Sequence, residues 1–246
     1  MKNKLSMILP TYNEALNIRP LIDEIIKYVE NIHEIIVVDD NSPDGTAEIV
    51  EDMIKSGGYP FLKIERRINK RCLTASIQKG IDISTGDAVG WMDCDFSMPP
   101  KYIPVLLSLI NADYDVAAGS RFVLGANWRG PKEYRNERFS EVFLSKAMNL
   151  FIQICLDHRF RDYTSGFVVA KKEVLKKIRL NGDYGEYFID FIYHSLKLNY
   201  RVVEVPYVWM PRRAGYSKTG TNISDYYKRG VKYIFTTVRL LTSNRF

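Results

Sequence analysis

From residue 5 to residue 93, short runs of β-branched and apolar residues alternate with amphipathic segments of helical length, which leaves few folds open to the chain. "LSMIL" (5 to 9) reads as a strand. "ALNIRPLIDEIIKYVE" (15 to 30) reads as a helix, with Ile18, Leu21, Ile22, Ile25, Ile26 and Val29 at helical spacing. "EIIVVDD" (34 to 40) is an almost unbroken apolar run, as expected of a parallel strand covered on both faces. "NSPDGTAEIVEDMIKSGG" opens on turn and cap residues and closes on Gly57 and Gly58, the punctuation of a second helix. "FLKIER" (61 to 66), a helix near 73 to 83 and "AVGWMD" (88 to 93) repeat the unit. This order predicts an α/β fold with a parallel, doubly wound sheet, whose ligands gather at the carboxyl ends of the strands. Glu14, Asp39, Asp40, Asp93 and Asp95 fall at those ends or just past them.

The second half is less regular. A helix over 101 to 110, a strand over 115 to 121, an apolar helix over 139 to 156 and the strands "SGFVVA" and "YRVVEVP" account for it, and no linker or repeat divides the chain.

Asp93 and Asp95 stand one residue apart in "WMDCDFSMPP" (91 to 100). On a strand that continues through Asp95, residues two apart share a face, so both carboxylates aim at one spot. Left alone, one of them would have to keep a proton. A divalent cation resolves the conflict by taking carboxylate oxygens and sharing its remaining positions with water and phosphate, the habit of Mg2+ in nucleotide sites. An exposed turn is the plain alternative, and the place of the pair at the sheet's carboxyl edge favours the metal.

Hydrophobic residues make up 46% of the 246 and charged residues 26%, which excludes a disordered or fibrous chain and suits a folded domain with a full core. The net charge of +6 permits a polyanionic partner. The aromatics do not interleave with basic residues in an RNA-reading pattern, so nucleic acid is not expected. Cys72, Cys94 and Cys155 are widely spaced and suggest neither a disulfide framework nor a thiolate metal site, which fits a reducing, cytoplasmic setting. No run of eighteen apolar residues occurs, so no membrane span is expected.

Six segments, "LPTYNE" (9 to 14), "VVDDNSPDGT" (37 to 46), "MDCDFSMPP" (92 to 100), "AGSRF" (118 to 122), "DYTSGF" (162 to 167) and "EVPYVWMPRRAGYSK" (204 to 218), follow the order and spacing of family 2 glycosyltransferases. Within that family the chain most resembles dolichol-phosphate mannose synthases and polyprenyl-phosphate glycosyltransferases. The resemblance implies a GT-A fold, a Rossmann-like mostly parallel sheet with flanking helices, over residues 1–220. It further implies a nucleoside-diphosphate-sugar donor (GDP-mannose or UDP-glucose), a polyprenyl phosphate acceptor, Mg2+ or Mn2+, and inversion at the anomeric carbon.

Carried over by position, Pro10, Tyr12 and Glu14 would line the nucleoside pocket, and Asp39 and Asp40 would reach the base or ribose. Asp93 and Asp95 would flank the metal and diphosphate, with Ser97 as a third metal ligand. Arg121, and Arg212 with Ser217 and Lys218, would contact the acceptor phosphate or the donor diphosphate, and Arg135 or Arg138 offers a further contact. Plain readings stand beside these: Pro10 and Tyr12 as turn and packing residues, Asp40 and Asp44 as helix caps. One segment departs from the family. "RCLTAS" (71 to 76) stands where relatives carry a glycine-rich G-L-G-T-A, so Arg71 and Cys72 replace small residues near the nucleotide and leave donor preference open.

A lipid monophosphate has its second pKa near 6 and is anionic at neutral pH, so such an acceptor needs cations to hold it rather than a base to activate it. A sugar-hydroxyl acceptor in polysaccharide synthesis would instead need a carboxylate base, for which Asp162 and Asp190 are the candidates. An inactive nucleotide-sugar-binding subunit is the reading from another class. His33, His158 and His194 match none of the motifs and read as packing or surface residues.

The tail over 221–246 places Ile223, Tyr227, Val231, Ile234, Val238 and Leu241 on one helical face, with Lys228, Arg229, Lys232 and Arg239 opposite. That pattern fits a helix lying in a membrane surface, and equally a helix whose apolar face packs on the enzyme's own body. Residues 139 to 156 could likewise dip toward lipid. Several relatives append transmembrane helices after such a tail, so the expectation here is peripheral attachment to the cytoplasmic face of a membrane, alone or with a membrane protein partner.

Overall fold

The computed structural model describes residues 2–68, 71–127, 130, 139–215 and 223–242. Arg135, Arg138, Ser217 and Lys218 lie outside the described residues. The sheet has seven strands: β1 (Leu5–Thr11), β2 (Glu34–Asp39), β3 (Leu62–Arg66), β4 (Ala88–Trp91), β5 (Val116–Ser120), β6 (Val168–Lys171) and β7 (Val202–Pro206). Their order across the sheet is β3-β2-β1-β4-β6-β5-β7. β1, β2, β3 and β4 run parallel, while β6 enters antiparallel to both β4 and β5, and β7 pairs parallel with β5. The doubly wound first half is as the alternation predicts, and the reversed β6 makes the whole sheet mixed but mostly parallel.

Helices α1 (Ile18–Tyr28), α2 (Thr46–Lys55) and α4 (Ile103–Asn111) cover one face, and α3 (Leu73–Ile83) and α7 (Glu186–Lys197) the other. Strand alternation sorts the core. Met7, Leu9, Ile35 and Val37 join the first layer, and Ile8, Ile36 and Val38 the second. All six residues of β2 are buried, the burial expected of a strand between two helical layers. Burial of one such Ile or Val contributes about 1.5–3 kcal/mol. α3 sits so close to β1 that a Cβ on Gly80 would fall 2.6 Å from Ile8 Cγ2, so only glycine permits this approach.

The register brings every motif to one edge. Thr11 pairs with Asp39, Ile8 with Trp91, Trp91 with Val168, Ala118 with Val168, and Ser120 with Pro206. The ends of β1, β2, β4, β5 and β7 and the start of β6 therefore meet there.

Two expectations change. β4 ends at Trp91, so Asp93 and Asp95 lie on a turn and do not share a face by strand alternation. Also, α1 begins at Ile18, because Asn17 and Ile18 donate their N–H groups to the Glu14 carbonyl (2.9 Å each), which winds residues 14 to 17 into a turn.

α5 (Phe139–Cys155) and α8 (Ile223–Thr242) pack on each other and α8 crosses α7, while the short α6 (Lys172–Lys177) follows β6. α8 docks by its polar side. Thr236, Thr237 and Leu240 are buried, Arg239 pairs with Asp190, and Val231, Ile234, Phe235, Val238 and Leu241 are exposed. Over the residues whose side chains are described, from Val231 to Leu241, the tail's apolar face points away from the enzyme's own body. α5 is also apolar on its exposed side, through Leu144, Leu150, Phe151 and Ile154. Among the described residues, no helix is long and apolar enough to cross a membrane.

Candidate active site

A cleft of about 460 Å3 opens at the shared strand edge. Pro10, Thr11, Tyr12 and Glu14 come from the end of β1, Asp40 from the end of β2, and Asp93, Cys94 and Asp95 from the turn after β4. Arg212 enters from the loop after β7, Arg71, Cys72, Leu73 and Ser76 from the start of α3, Asp183 and Tyr184 from the loop before α7, and Arg229 and Lys232 from α8.

The turn after β4 is held in an unusual shape. Phe96 has φ 69°, a left-handed conformation costly for a bulky residue, and such outliers persist only where their surroundings impose them. Here Arg213 N–H donates to the Asp95 carbonyl (3.0 Å) and Met210 N–H to the Ser97 carbonyl (3.2 Å), while the Arg213 guanidinium lies 4.9 Å from the Phe96 ring centroid. Ser97 N–H in turn donates to Asp95 Oδ1 (3.0 Å).

Burial at the cleft floor, then the charges of Asp95 and Glu14, push the Asp93 carboxyl up to about 7, against the pull of Arg212 and Arg121. Asp93 is nonetheless open to cleft water, which tempers the burial part and leaves repulsion between like charges as the firmer cause. A divalent cation would relieve that repulsion. Among the described residues no group of three His, Cys, Asp or Glu side chains is assembled to hold a metal. Two carboxylates fit a cation that takes its other oxygens from water and phosphate.

Arg212 is fixed beside the pair. Its guanidinium grips Glu14 bidentately, Nη2 to Oε1 at 2.7 Å and Nη1 to Oε2 at 3.0 Å, and Asn17 Nδ2 braces Glu14 Oε2 at 2.8 Å. Its Nε is buried with no hydrogen-bond partner among the described residues and stands 3.8 Å from Asp95 Oδ2, beyond hydrogen-bonding range. A buried donor left over beside two carboxylates fits an anion between them, as a diphosphate would be.

The nucleoside residues divide. Pro10, Tyr12, Glu14 and Asp40 line the cleft. Asp39 is not among its lining residues: its oxygens accept from Thr11 Oγ1 (2.9 Å), Ser42 N–H (2.8 Å) and Ser42 Oγ (2.5 Å), which ties β1 to the loop after β2. Asp40 is no helix cap. It pairs with Arg67 and accepts from Cys72 N–H (2.7 Å), so it holds the start of α3. Asp44 does serve a helix start, taking Thr46 N–H at 3.1 Å and Ala15 N–H at 3.0 Å. Arg71 lies over the Tyr12 ring at 4.4 Å.

Arg121 is not among the cleft-lining residues but lies close enough for its charge to act on Asp93. Asp162 accepts from its backbone N–H, Nε and Nη2, each at 2.8 Å, and Thr164 Oγ1 accepts from Nη2 at 2.8 Å. Burial alone would lower the Arg121 pKa, but Asp162 outweighs it and keeps the guanidinium firmly charged. Asp190, buried under α8, meets Arg239 and, at 3.2 Å, His194 Nδ1. His33 Nε2 meets Thr85 Oγ1 at 2.9 Å, outside the cleft.

That Asp183, Tyr184, Arg229 and Lys232 line the cleft was not expected from sequence. Nothing local marks them, since α6, α7 and α8 bring them to the cleft only by tertiary packing.

Comparison with known proteins bears on this arrangement. The chain is 34% identical over 228 residues to a dolichol-phosphate mannosyltransferase of Pyrococcus furiosus, covering 91% of this chain and 61% of that protein. It thus spans about three-fifths of that relative's length. It is 32% identical over 226 residues to a polyprenol monophosphomannose synthase of Mycolicibacterium smegmatis, covering 89% of this chain and 82% of that protein. Among solved structures, glucosyl-3-phosphoglycerate synthase of Mycobacterium tuberculosis in complex with Mn2+, UDP and glucosyl-3-phosphoglycerate superposes with a TM-score of 0.72. That match has 17% identity and covers 99% of this chain and 81% of the other. The same enzyme with Mg2+ and UDP also gives 0.72, at 18% identity, and at such identities the likeness concerns the fold, which is GT-A-like. The sequence profile described as Glycosyl transferase family 2 matches residues 6–179, and the chain belongs to that family.

Proposed function

We propose that the protein is an inverting glycosyltransferase that moves a sugar, mannose or glucose, from a nucleoside diphosphate to a polyprenyl phosphate. The observation that carries this is the conjunction of Asp93, Asp95 and the unsatisfied Arg212 Nε in one cleft. The two curated relatives, named for mannosyl transfer to dolichol and polyprenol phosphates, support the acceptor class.

Asp93 and Asp95 would hold Mg2+ or Mn2+, which when bound supplies Lewis-acid stabilisation of the departing diphosphate. Arg212, kept in place by Glu14, adds a fixed positive charge beside the same leaving group. Pro10, Tyr12 and Asp40 receive the nucleoside, with GDP-mannose and UDP-glucose as the donors to test. Arg121, locked by Asp162, offers a rigid cation toward the phosphates, and Ser97, Ser217, Lys218 and Arg135 or Arg138 are the further contacts expected from the family.

The acceptor phosphate needs no general base. Asp162 and Asp190, the candidates for a hydroxyl acceptor, are each bound to a cation outside the cleft. Of the described acids that line it, Glu14 is paired with Arg212, Asp40 with Arg67 and Asp183 with Lys232, and Asp93 and Asp95 are the two assigned to the cation. The exposed apolar sides of α5 and α8 suit seating on a membrane surface, which would bring the lipid acceptor to the enzyme at the cytoplasmic face.

Incubation of the purified protein and Mg2+ or Mn2+ with a panel of nucleotide sugars and a short prenyl phosphate, read by mass spectrometry of the lipid, tests the proposal. A glycosylated prenyl phosphate that vanishes in Asp95→Ala is expected. Turnover with soluble sugar acceptors alone would move the assignment to the hydroxyl class. No donor turnover under any condition would point to a binding subunit.

A further inference from the structure

α8 carries its charge inward and its apolar side chains outward, the reverse of an ordinary surface helix. On the inner side, Arg229 and Lys232 reach the cleft wall one turn apart. Lys232 Nζ meets Asp183 Oδ1 at 2.7 Å, and the Arg229 guanidinium lies 4.7 Å from the Tyr184 ring centroid. Tyr233 locks the same junction: a Cβ on Gly185 would fall 2.4 Å from its hydroxyl. The helix is thus fastened to the loop before α7, which Cys72 Sγ and Thr74 Oγ1 also meet from the start of α3, and its cations line the same cleft as the acids at the strand ends.

We propose that Arg229 and Lys232 bind the phosphate of the lipid acceptor, a site on α8 that couples the helix's outer face to the chemistry inside. The assignment rests on the glycosyl-transfer reading above. Three features support it. First, the Lys232–Asp183 pair is exposed on both sides (45% and 64%), and an ion pair that wet is weak enough for a phosphate monoester carrying about two negative charges to displace. Second, the donor's diphosphate already has its own ligands in Asp93, Asp95 through a cation, and Arg212. Third, the opposite face of the same helix exposes Val231, Ile234, Phe235 and Val238, so an isoprenoid chain lying on that face has its headgroup only one helix width, about 10 Å, from the cations.

The test uses the full chain with farnesyl phosphate, farnesol and inorganic phosphate as probes, in equilibrium titration and in transfer kinetics. Lys232→Met and Arg229→Gln should each weaken farnesyl phosphate binding, and raise its KM, by about tenfold, with the donor KM within about twofold of wild type. Asp183→Asn, which removes the competing carboxylate, should tighten farnesyl phosphate binding by roughly threefold. Melting temperatures of the variants show whether each remains folded. Equal binding in wild type and both cation variants overturns the proposal. So do a rise in donor KM instead of acceptor KM, inorganic phosphate binding as tightly as farnesyl phosphate, and farnesol doing so. The two readings fail distinguishably: wild-type transfer with unchanged variant binding sinks only the α8 site, whereas binding that depends on Lys232 without any transfer sinks the glycosyl-transfer reading and the acceptor role with it, leaving a prenyl-phosphate site on α8.

Discussion

The Arg121–Asp162 pair makes the sharpest stability prediction. Asp162 is fully buried and Arg121 is 19% exposed, and three hydrogen bonds of 2.8 Å join them. Removing either partner strands the other charge away from water, a loss of about 3–5 kcal/mol for buried pairs. Arg121→Met and Asp162→Leu should each show this loss in urea denaturation, and for a chain of this size each should melt roughly 10 °C lower. The double variant strands no charge. It gives up the bond from Arg121 N–H to Asp162 Oδ2, worth about 1–2 kcal/mol as a buried donor left unpaired, and should otherwise recover. The double-mutant cycle should therefore return a coupling of about 3 kcal/mol or more. Additive single losses, or an Arg121→Met protein as stable as wild type, would refute the claim that Asp162 pins Arg121. Arg121 would then be a mobile side chain recruited by substrate, and its role at the phosphates would need another explanation.

Three further outcomes follow. Asp95→Asn should weaken Mn2+ binding, read from the paramagnetic resonance of free Mn2+, and lower transfer by roughly 10^3-fold, since on the proposed reading it removes a metal ligand worth several kcal/mol to the leaving group. Burial pushes the Glu34 carboxyl up, but hydrogen bonds from Lys63, Ser6 and Thr85 outweigh it and hold the folded pKa at about 2, below the model-peptide 4.5. That stabilisation is complete above pH 4.5 and is lost as pH falls toward 2, so Glu34→Gln should cost about 2–3 kcal/mol at pH 7 and much less near pH 2, measured by urea melts across pH. On the outer face of α8, Val231→Ser with Phe235→Ser should reduce partitioning onto anionic vesicles by about tenfold while the melting temperature stays put, because both side chains are exposed; undiminished partitioning would remove α8 from the membrane contact.

Periodicity made the first half legible because a strand buried on both faces, such as β2, leaves an unbroken apolar run and an α3 with one apolar stripe leaves a helical one. β6 was placed as a strand, but four residues carry no mark of direction, so its reversal could not be read. The D-x-D pair stands at the strand edge as expected, but strand alternation does not put it there, since β4 stops at Trp91. In the described part of the tail, Val231, Ile234, Val238 and Leu241 share an exposed face, while Arg229 and Lys232 line the cleft and Arg239 meets Asp190. Which face met the protein was hidden, because the usual inward-apolar rule is inverted there and the deciding partners, Asp183 and Asp190, lie far back in the chain. Asp39 shows the same limit at the scale of one side chain: adjacent to Asp40 in sequence, it turns into the loop while Asp40 meets the cleft.

The strained turn at Phe96 has a bearing on how the enzyme is made. The four-stranded block β3-β2-β1-β4 is complete in the nascent chain well before Met210 and Arg213 emerge to bind the Ser97 and Asp95 carbonyls. Until that strap arrives, nothing from the β7 end opposes relaxation of the left-handed Phe96, and the acids are not held at their final spacing. Synthesis therefore yields a sheet first and the arranged acids last, and a chain cut short of residue 210 should keep much of its architecture while losing affinity for the proposed cation.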